Sequence, residues 1–114
     1  MEAMCRVRVC LPLFYNDGRP IEKNKFKHAK RQILRKWGGF TSTRIRPGEG
    51  GWHDASSDRD YIEPIELLEI DIPLEKLTLA LEFFDGFGKG LEVAFEQKEV
   101  YVTYYPFLLR SKGT

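Results

Sequence analysis

The 114-residue chain has only two cysteines and two histidines and no long apolar run, and each shortage excludes a class of protein. No apolar stretch approaches the roughly 20 residues of a membrane-spanning helix, and the N-terminal MEAMCRVRVC lacks the apolar region of a signal peptide. Cys5 and Cys10 fall in one predicted strand, about 17 Å apart at about 3.3 Å per residue, which is too far for a disulfide. We therefore expect one cytoplasmic domain over residues 1–114, with two buried thiols and no membrane contact.

Motifs for catalysis and for cofactor binding are also missing. The sequence has no G-x-S-x-G nucleophile motif, and its histidines and cysteines do not have the spacing of metal ligands. The glycine-rich segment 47–51 has predicted strands on both sides, so it lacks the helix N-terminus that a phosphate-binding loop uses. We expect no cofactor and no metal, and we interpret 47–51 as a bend or bulge in a strand.

The net charge of +1 conceals a separation of charge along the chain. Residues 1–53 carry a net charge of +8, residues 54–99 carry −9, and the remaining tail adds +2. Such a division favours either two halves that face each other, within one fold or in a dimer, or a basic surface for an anionic partner.

Four segments have the alternating, β-branched or aromatic patterns that are typical of strands. They are residues 5–15, 40–53, 61–72 and 99–105. Pro106 is expected to end the last strand, and the chain is expected to reverse near residues 55–60 between the second and the third. With two helices between them, the order βαββαβ predicts an α+β, ferredoxin-like fold: a four-stranded antiparallel sheet with both helices on one face.

The two predicted helices differ in how clearly they end. The first runs over 21–37 and stops at the Gly38-Gly39 pair, with a buried stripe of Phe26, Ala29, Ile33 and Trp37. The second opens at Pro73 and keeps three-and-four spacing up to Gln97, through Leu74, Leu77, Leu81, Phe84, Leu91 and Phe95. Gly86, Gly88 and Gly90 lie inside it, and we predict one continuous helix, with a break near Gly86 as the alternative.

Short motifs in three parts of the chain resemble a known group of proteins. They are Gly50-Gly51-Trp52 in the second strand, Glu63 in the returning strand, and Phe95-x-Gln97-x-x-Val100 before the last strand. The pattern resembles a family of uncharacterised small bacterial and phage proteins with a G-x-W segment in strand 2 and an F-x-Q-x-x-V junction. The resemblance covers about residues 7–104 and implies the ferredoxin-like fold, with no established activity.

His53, Asp54 and Glu63 are the candidate catalytic residues. An imidazole titrates near neutral pH, and a carboxylate on the opposing strand could orient it for acid/base chemistry. However, His53 adjoins a polar turn, where histidines are usually only solvated. His28 lies on the basic helix and is expected to be exposed.

The first helix is the clearest charged feature of the sequence. It carries seven Lys and Arg residues within fourteen positions, and the one acidic residue near them is Glu22. Five of them are our candidate anion-binding residues: Lys23, Lys27, Lys30, Arg31 and Arg35. Such a face can bind the phosphates of nucleic acid. It can equally be a solvated face, or one that meets the acidic half of a neighbouring chain.

Aromatic side chains mark the other surface of interest. Tyr101 and Tyr105 are expected on the sheet face away from the helices, together with Phe14 and Leu67, and we add Trp52 to the two tyrosines as candidate binding residues. Several uncovered aromatics usually indicate a partner, and a homodimer paired sheet to sheet or edge to edge is the simplest one. The sequence thus favours a non-catalytic binding or assembly module that forms a homodimer. The alternatives are a nucleic-acid-binding protein that uses the basic helix and a small enzyme that uses the strand 2–3 hairpin.

Overall fold

The computed structural model describes residues 1–46, 53–54, 59–60 and 63–110, and for the two short middle ranges it describes the backbone alone. The elements are β1 (Glu2–Pro12), α1 (Lys23–Trp37), β2 (Thr41–Ile45), β3 (His53–Asp54), β4 (Arg59–Asp60), β5 (Ile65–Pro73), α2 (Leu77–Ala94) and β6 (Val102–Leu109). Four strands form one antiparallel sheet in the order β2-β5-β1-β6. This is the predicted α+β, ferredoxin-like fold.

The alternation of apolar residues along β1 and β5 builds the face of the sheet that the helices cover. Val7 lies opposite Ile70, and Val9 lies opposite Leu68. Because successive side chains of a strand point to opposite faces, these residues all point the same way. The core on this side includes Cys5, Val7, Val9, Leu11, Leu68, Ile70, Ile72, Phe84 and Phe95. Cys5 and Cys10 are both free and buried, as predicted, and they lie on opposite sides of β1.

Helix α1 buries the stripe that the sequence indicates and ends where glycine permits it to end. Phe26, Ala29 and Ile33 are buried, whereas Trp37, the fourth residue of the predicted stripe, is half-buried against the core. Gly38 has a φ of 83°, in the left-handed region that favours glycine, and its N–H donates to the carbonyl of Leu34 at 2.9 Å.

Helix α2 is continuous through its three glycines, as predicted, and a turn of 3-10 helix at Leu74–Lys76 precedes it. The predicted stripe needs one correction, because Leu81 is 44% exposed while Ala80 is fully buried. Ala80, Phe84 and Leu91 face the sheet, and Leu81 is rotated about 100° from Ala80.

The last strand differs from its prediction, because β6 begins at Val102 and continues through Pro106 to Leu109. The N–H of Cys10 donates to the carbonyl of Tyr101 at 3.0 Å. Since hydrogen-bonded and non-hydrogen-bonded pairs alternate along an antiparallel ladder, the opposed pair of Cys5 and Pro106 is of the non-bonded kind. The nitrogen of Pro106 therefore faces outward from the edge of the sheet, where proline is tolerated.

The predicted strand 40–53 is divided between β2 and β3, and the predicted strand 61–72 corresponds to β5 alone, which begins later and ends at Pro73. β2 ends at Ile45 and β5 begins at Ile65, while His53–Asp54 pairs with Arg59–Asp60 in a separate two-stranded ladder. This pairing confirms the predicted chain reversal near 55–60. The predicted bend at 47–51 and the side chain of Trp52 lie outside the described residues.

Candidate functional site

Four basic residues form a row along the exposed side of α1. They occupy every fourth position: Lys23, Lys27, Arg31 and Arg35. All four are exposed, and at about 1.5 Å per residue the row is about 18 Å long. Within the part of the chain that the structure describes, none of them takes part in an ion pair. We call these four residues the cation row.

Lys30, which the sequence groups with the row, is held by a buried carboxylate. Its Nζ lies 2.5 Å from Oε2 of Glu66, a residue that is 1% exposed. Ser42 Oγ donates to the same oxygen at 2.9 Å, and Arg44 Nε donates to Oε1 at 3.1 Å. Burial raises the pKa of Glu66, but its bonds to Lys30, Ser42 and Arg44 outweigh burial, and the pKa lies below its ordinary value. The charge of Lys30 is therefore used within the fold, and we leave it out of the site.

Lys25 is a second cation of α1 that is used internally. Its Nζ donates to the carbonyl of Ala94, the last residue of α2, at 2.6 Å, and also to the hydroxyl of Tyr15. That hydroxyl in turn donates to the carboxylate of Glu22. Because the last carbonyls of a helix have no partner within the helix, Lys25 satisfies one of them and joins the start of α1 to the end of α2.

A groove of about 610 Å³ runs between α1 and α2, directly beside the cation row. The wall on α1 includes Lys27, His28, Arg31 and Gln32, and the wall on α2 includes Gly86, Gly90 and Ala94. Phe87, Leu91 and Phe95, which are all buried, also line the groove. His28 is exposed, as predicted.

The groove continues toward the end of α1 in a second cavity of about 510 Å³. The two cavities share Gln32, Gly86 and Phe87, and the second adds Arg35, Lys36 and Phe83. We call the two together the interhelical groove. It is elongated, and cations from the row line its α1 side in both parts.

The glycines of the groove are not required by packing within the described chain. A Cβ atom placed on Gly86 or Gly90 would meet nothing within 4 Å. Gly88 faces the sheet instead, where a Cβ would lie 3.7 Å from Cγ2 of Val102. The backbone of α2 therefore forms one wall of the groove, with open space beside it.

The sheet face away from the helices carries a ladder of ion pairs. Arg6 binds Asp71 through two hydrogen bonds of 2.7 and 3.0 Å, and Arg8 Nε donates to Glu69 at 3.0 Å. The carboxylate of Asp71 raises the pKa of Arg6 further above its ordinary value. The exposed part of this face is thus more polar than its aromatic residues suggest.

The predicted aromatic set on this face is only partly available to a partner. Tyr101 and Tyr105 are half-buried, and the guanidinium of Arg8 lies 4.9 Å from the centre of the Tyr105 ring. Burial raises the pKa of Tyr105. Leu67 is only 4% exposed and packs in a small cluster with Cys10 and Ile65. Phe14 is 44% exposed and lies beyond the end of β1.

The candidate catalytic residues are not brought together by any described contact. Glu63 is exposed and lines a small cavity of about 210 Å³ with Phe14 and Tyr15. The side chains of His53 and Asp54 lie outside the described part of the structure, so their acid/base role stays a prediction. Among the described residues, no three His, Cys, Asp or Glu side chains form a group that could hold a metal ion. No helix in the described ranges is long and apolar enough to cross a membrane.

No family model matches the sequence, and no curated protein matches it. Among solved structures, the chain is similar to a phage SAM lyase in complex with S-methyl-5′-thioadenosine. The TM-score is 0.50 and the identity 17%, over 93% of this chain and 90% of that one. A likeness at this identity shows the fold alone. The resemblance to the uncharacterised bacterial and phage proteins stays a prediction.

Two features of the site were not recognised from the sequence, although each has a signal there. Glu66 has the same strand parity as Leu68 and Ile70, and a carboxylate in phase with core residues indicates a buried ion pair. Gly86 and Gly90 are four residues apart, which places them on one side of a helix. Neither pattern can be interpreted without the tertiary structure, because its meaning depends on which residues of the other elements lie opposite it.

Proposed function

We propose that the protein is a non-catalytic binding module that binds nucleic acid through the cation row. The observation that supports this most directly is that Lys23, Lys27, Arg31 and Arg35 are exposed and unpaired within the described chain. Nucleic acid offers a regular line of phosphates, and basic residues that neutralise them supply most of the affinity. A row of cations about 18 Å long can contact several phosphates of one strand.

Repulsion between the charges of the cation row destabilises helix α1, and this also favours a polyanionic ligand. Like charges four residues apart on a helix destabilise it by about 0.2–0.5 kcal/mol per pair, and the row contains three such pairs. The total is about 1 kcal/mol, and no acidic side chain of the described residues offsets it. A bound phosphodiester chain would remove this repulsion.

The test is fluorescence anisotropy of a labelled oligonucleotide over a series of salt concentrations. We expect the dissociation constant to rise steeply with salt. The double variant Lys27→Glu/Arg31→Glu should weaken binding at least about tenfold and flatten the salt dependence. The control Lys76→Glu/Lys98→Glu makes the same change in net charge at exposed positions outside the row and should change binding by about twofold or less.

Two results would exclude this function. One is the absence of salt-dependent binding by the wild-type protein. The other is equal weakening in both double variants, because only net charge would then matter.

A homodimer is a second candidate, and the side chains of β6 support it. Tyr105 and Phe107 project from the sheet face away from the helices, and Leu109 beyond them is 46% exposed. Pairing two such faces would bury aromatic area. Sedimentation at micromolar concentration should give a dimer that dissociates in the Tyr101→Lys/Tyr105→Lys variant, and a wild-type monomer would refute it. We also propose a cytoplasmic location, since both free thiols fit a reducing compartment.

A further inference from the structure

We propose that the interhelical groove holds one strand of nucleic acid, with its phosphates on the cation row and its bases between the helices. The protein would then prefer single-stranded to double-stranded nucleic acid. This inference rests on the proposed function and names the form of nucleic acid that the site selects.

The shape and charge of the groove match a ligand that is charged along one edge only. Lys27 and Arg31 line the first part of the groove, and Arg35 lines the second. On the opposite side, Gly86, Gly90 and Ala94 contribute no charge. A single strand has the same asymmetry, because its phosphodiester chain runs along one side and its unpaired bases project to the other.

The wall on α2 leaves room for a flat ring. Neither Gly86 nor Gly90 has a neighbour within 4 Å of the position that a Cβ would take, so a base can lie against the helix backbone there. Alanine at both positions would favour the helix and fit the fold. Packing within the described chain therefore does not explain the glycines, whereas a ligand in the groove does.

The second part of the groove contains an aromatic platform. Phe83 is half-buried, and its ring is stacked on Phe87 at 5.6 Å with an interplanar angle of 19°. Trp37 meets the same ring edge-on at 5.8 Å. These contacts fix the orientation of Phe83 beside Arg35 and Lys36. An aromatic ring next to basic side chains is the usual arrangement for stacking a base of a single strand.

A duplex cannot make the same contacts, because its bases are paired and stacked inside. It would reach the cation row with its phosphates and leave the groove empty. The affinity for duplex thus measures the contribution of the cation row alone. The difference in affinity between single strand and duplex measures the contribution of the groove.

The experiment compares a labelled single strand with the duplex of the same sequence, at one salt concentration, by fluorescence anisotropy. We expect the wild-type protein to bind the single strand at least about tenfold more tightly. The variant Gly86→Leu/Gly90→Leu fills the groove and leaves the row unchanged, so it should bind both forms with about the duplex affinity. The matched control is Gly39→Leu, outside the groove and also with open space around its Cβ, which should behave as wild type.

Folding of the groove variant is checked by its thermal midpoint, which should not fall, since leucine is a better helix former than glycine. As a second variant, Phe83→Leu removes the ring and should weaken single-strand binding about fivefold while duplex binding stays constant. Competition with unlabelled S-methyl-5′-thioadenosine, a nucleoside without phosphate, and with a mononucleotide shows whether the groove takes a nucleoside alone or also needs a phosphate on the cation row.

Each outcome decides a separate point. Equal affinity of the wild type for single strand and duplex would overturn the inference and leave the proposed function intact. Failure to bind either form would overturn both. If sedimentation shows an oligomer that Gly86→Leu/Gly90→Leu dissociates, the groove is an interface between copies of the chain and the inference is wrong.

Discussion

Replacing Lys30 by methionine should destabilise the protein because it removes a charged partner from a buried carboxylate. Methionine keeps most of the volume of the side chain and removes the ammonium that lies 2.5 Å from Glu66. A hydrogen bond to a charged group contributes about 1.5–3 kcal/mol. Ser42 and Arg44 still bind Glu66, so the loss stays below the about 3–5 kcal/mol of a wholly unpaired buried charge. We expect a loss of about 2 kcal/mol at pH 7.

The pH dependence of this loss follows from the lowered pKa of Glu66 in the folded protein. A carboxylate whose pKa is lowered by folding contributes stability above its unfolded pKa and loses it as the pH falls through its folded pKa. The difference between wild type and Lys30→Met should therefore be largest near neutral pH. It should shrink as the pH falls below the ordinary value of 4.5, because the neutral acid no longer needs the ammonium.

Urea unfolding at several pH values measures this difference directly. Lys27→Met is the matched control, because Lys27 belongs to the cation row and has no ion-pair partner in the described chain. The control should keep its stability or gain slightly, since it removes repulsion within the row. The two variants should rank the other way in the oligonucleotide assay. Lys27→Met should bind the labelled oligonucleotide more weakly than wild type, and Lys30→Met should bind it about as tightly as wild type. The reasoning is refuted if both variants are equally stable at pH 7, or if the loss in Lys30→Met is unchanged at acid pH.

Two more changes test the groove and the sheet edge. Gly86→Ala/Gly90→Ala should stabilise the protein by about 2 kcal/mol, because alanine is favoured in helices by about 1 kcal/mol per site and both positions are open; a thermal midpoint that stays the same or falls would contradict this. Pro106→Val restores an outward N–H to the edge of β6. It should increase association severalfold in sedimentation velocity, and an unchanged distribution of species would show that the proline does not protect the edge.

Most of the fold follows from periodicity in the sequence. Alternation in β1 and β5 and the three-and-four spacing of α1 indicate these elements because each pattern buries one face of a regular backbone. Gly38 ends α1 for a local reason, its left-handed conformation. Even the continuity of α2 could be predicted, since its apolar spacing persists through the glycines. These features depend on residues that are close along the chain.

The bounds of the strands were harder to predict from the sequence, because they depend on the position of a strand within the sheet. Pro106 predicts an end when it is considered alone. In the structure β6 lies at the sheet edge, and the proline nitrogen faces outward, so the strand continues to Leu109. Likewise, a core position in β5 accepts Glu66 because α1 brings Lys30 over it and β2 brings Ser42 and Arg44 beside it.

The sequence by itself determined that α1 is strongly basic on its exposed side, since composition and helical spacing are enough for that. Only the tertiary structure decided which of its cations are available to a ligand. Lys30 and Lys27 look equivalent in the sequence, but Glu66, which is far away along the chain, binds one and leaves the other exposed. The interhelical groove is likewise a property of two helices placed side by side by the sheet. The charge of a segment and its local conformation are determined by residues that are close along the chain, whereas ion pairs and cavities depend on contacts between residues that are far apart along it.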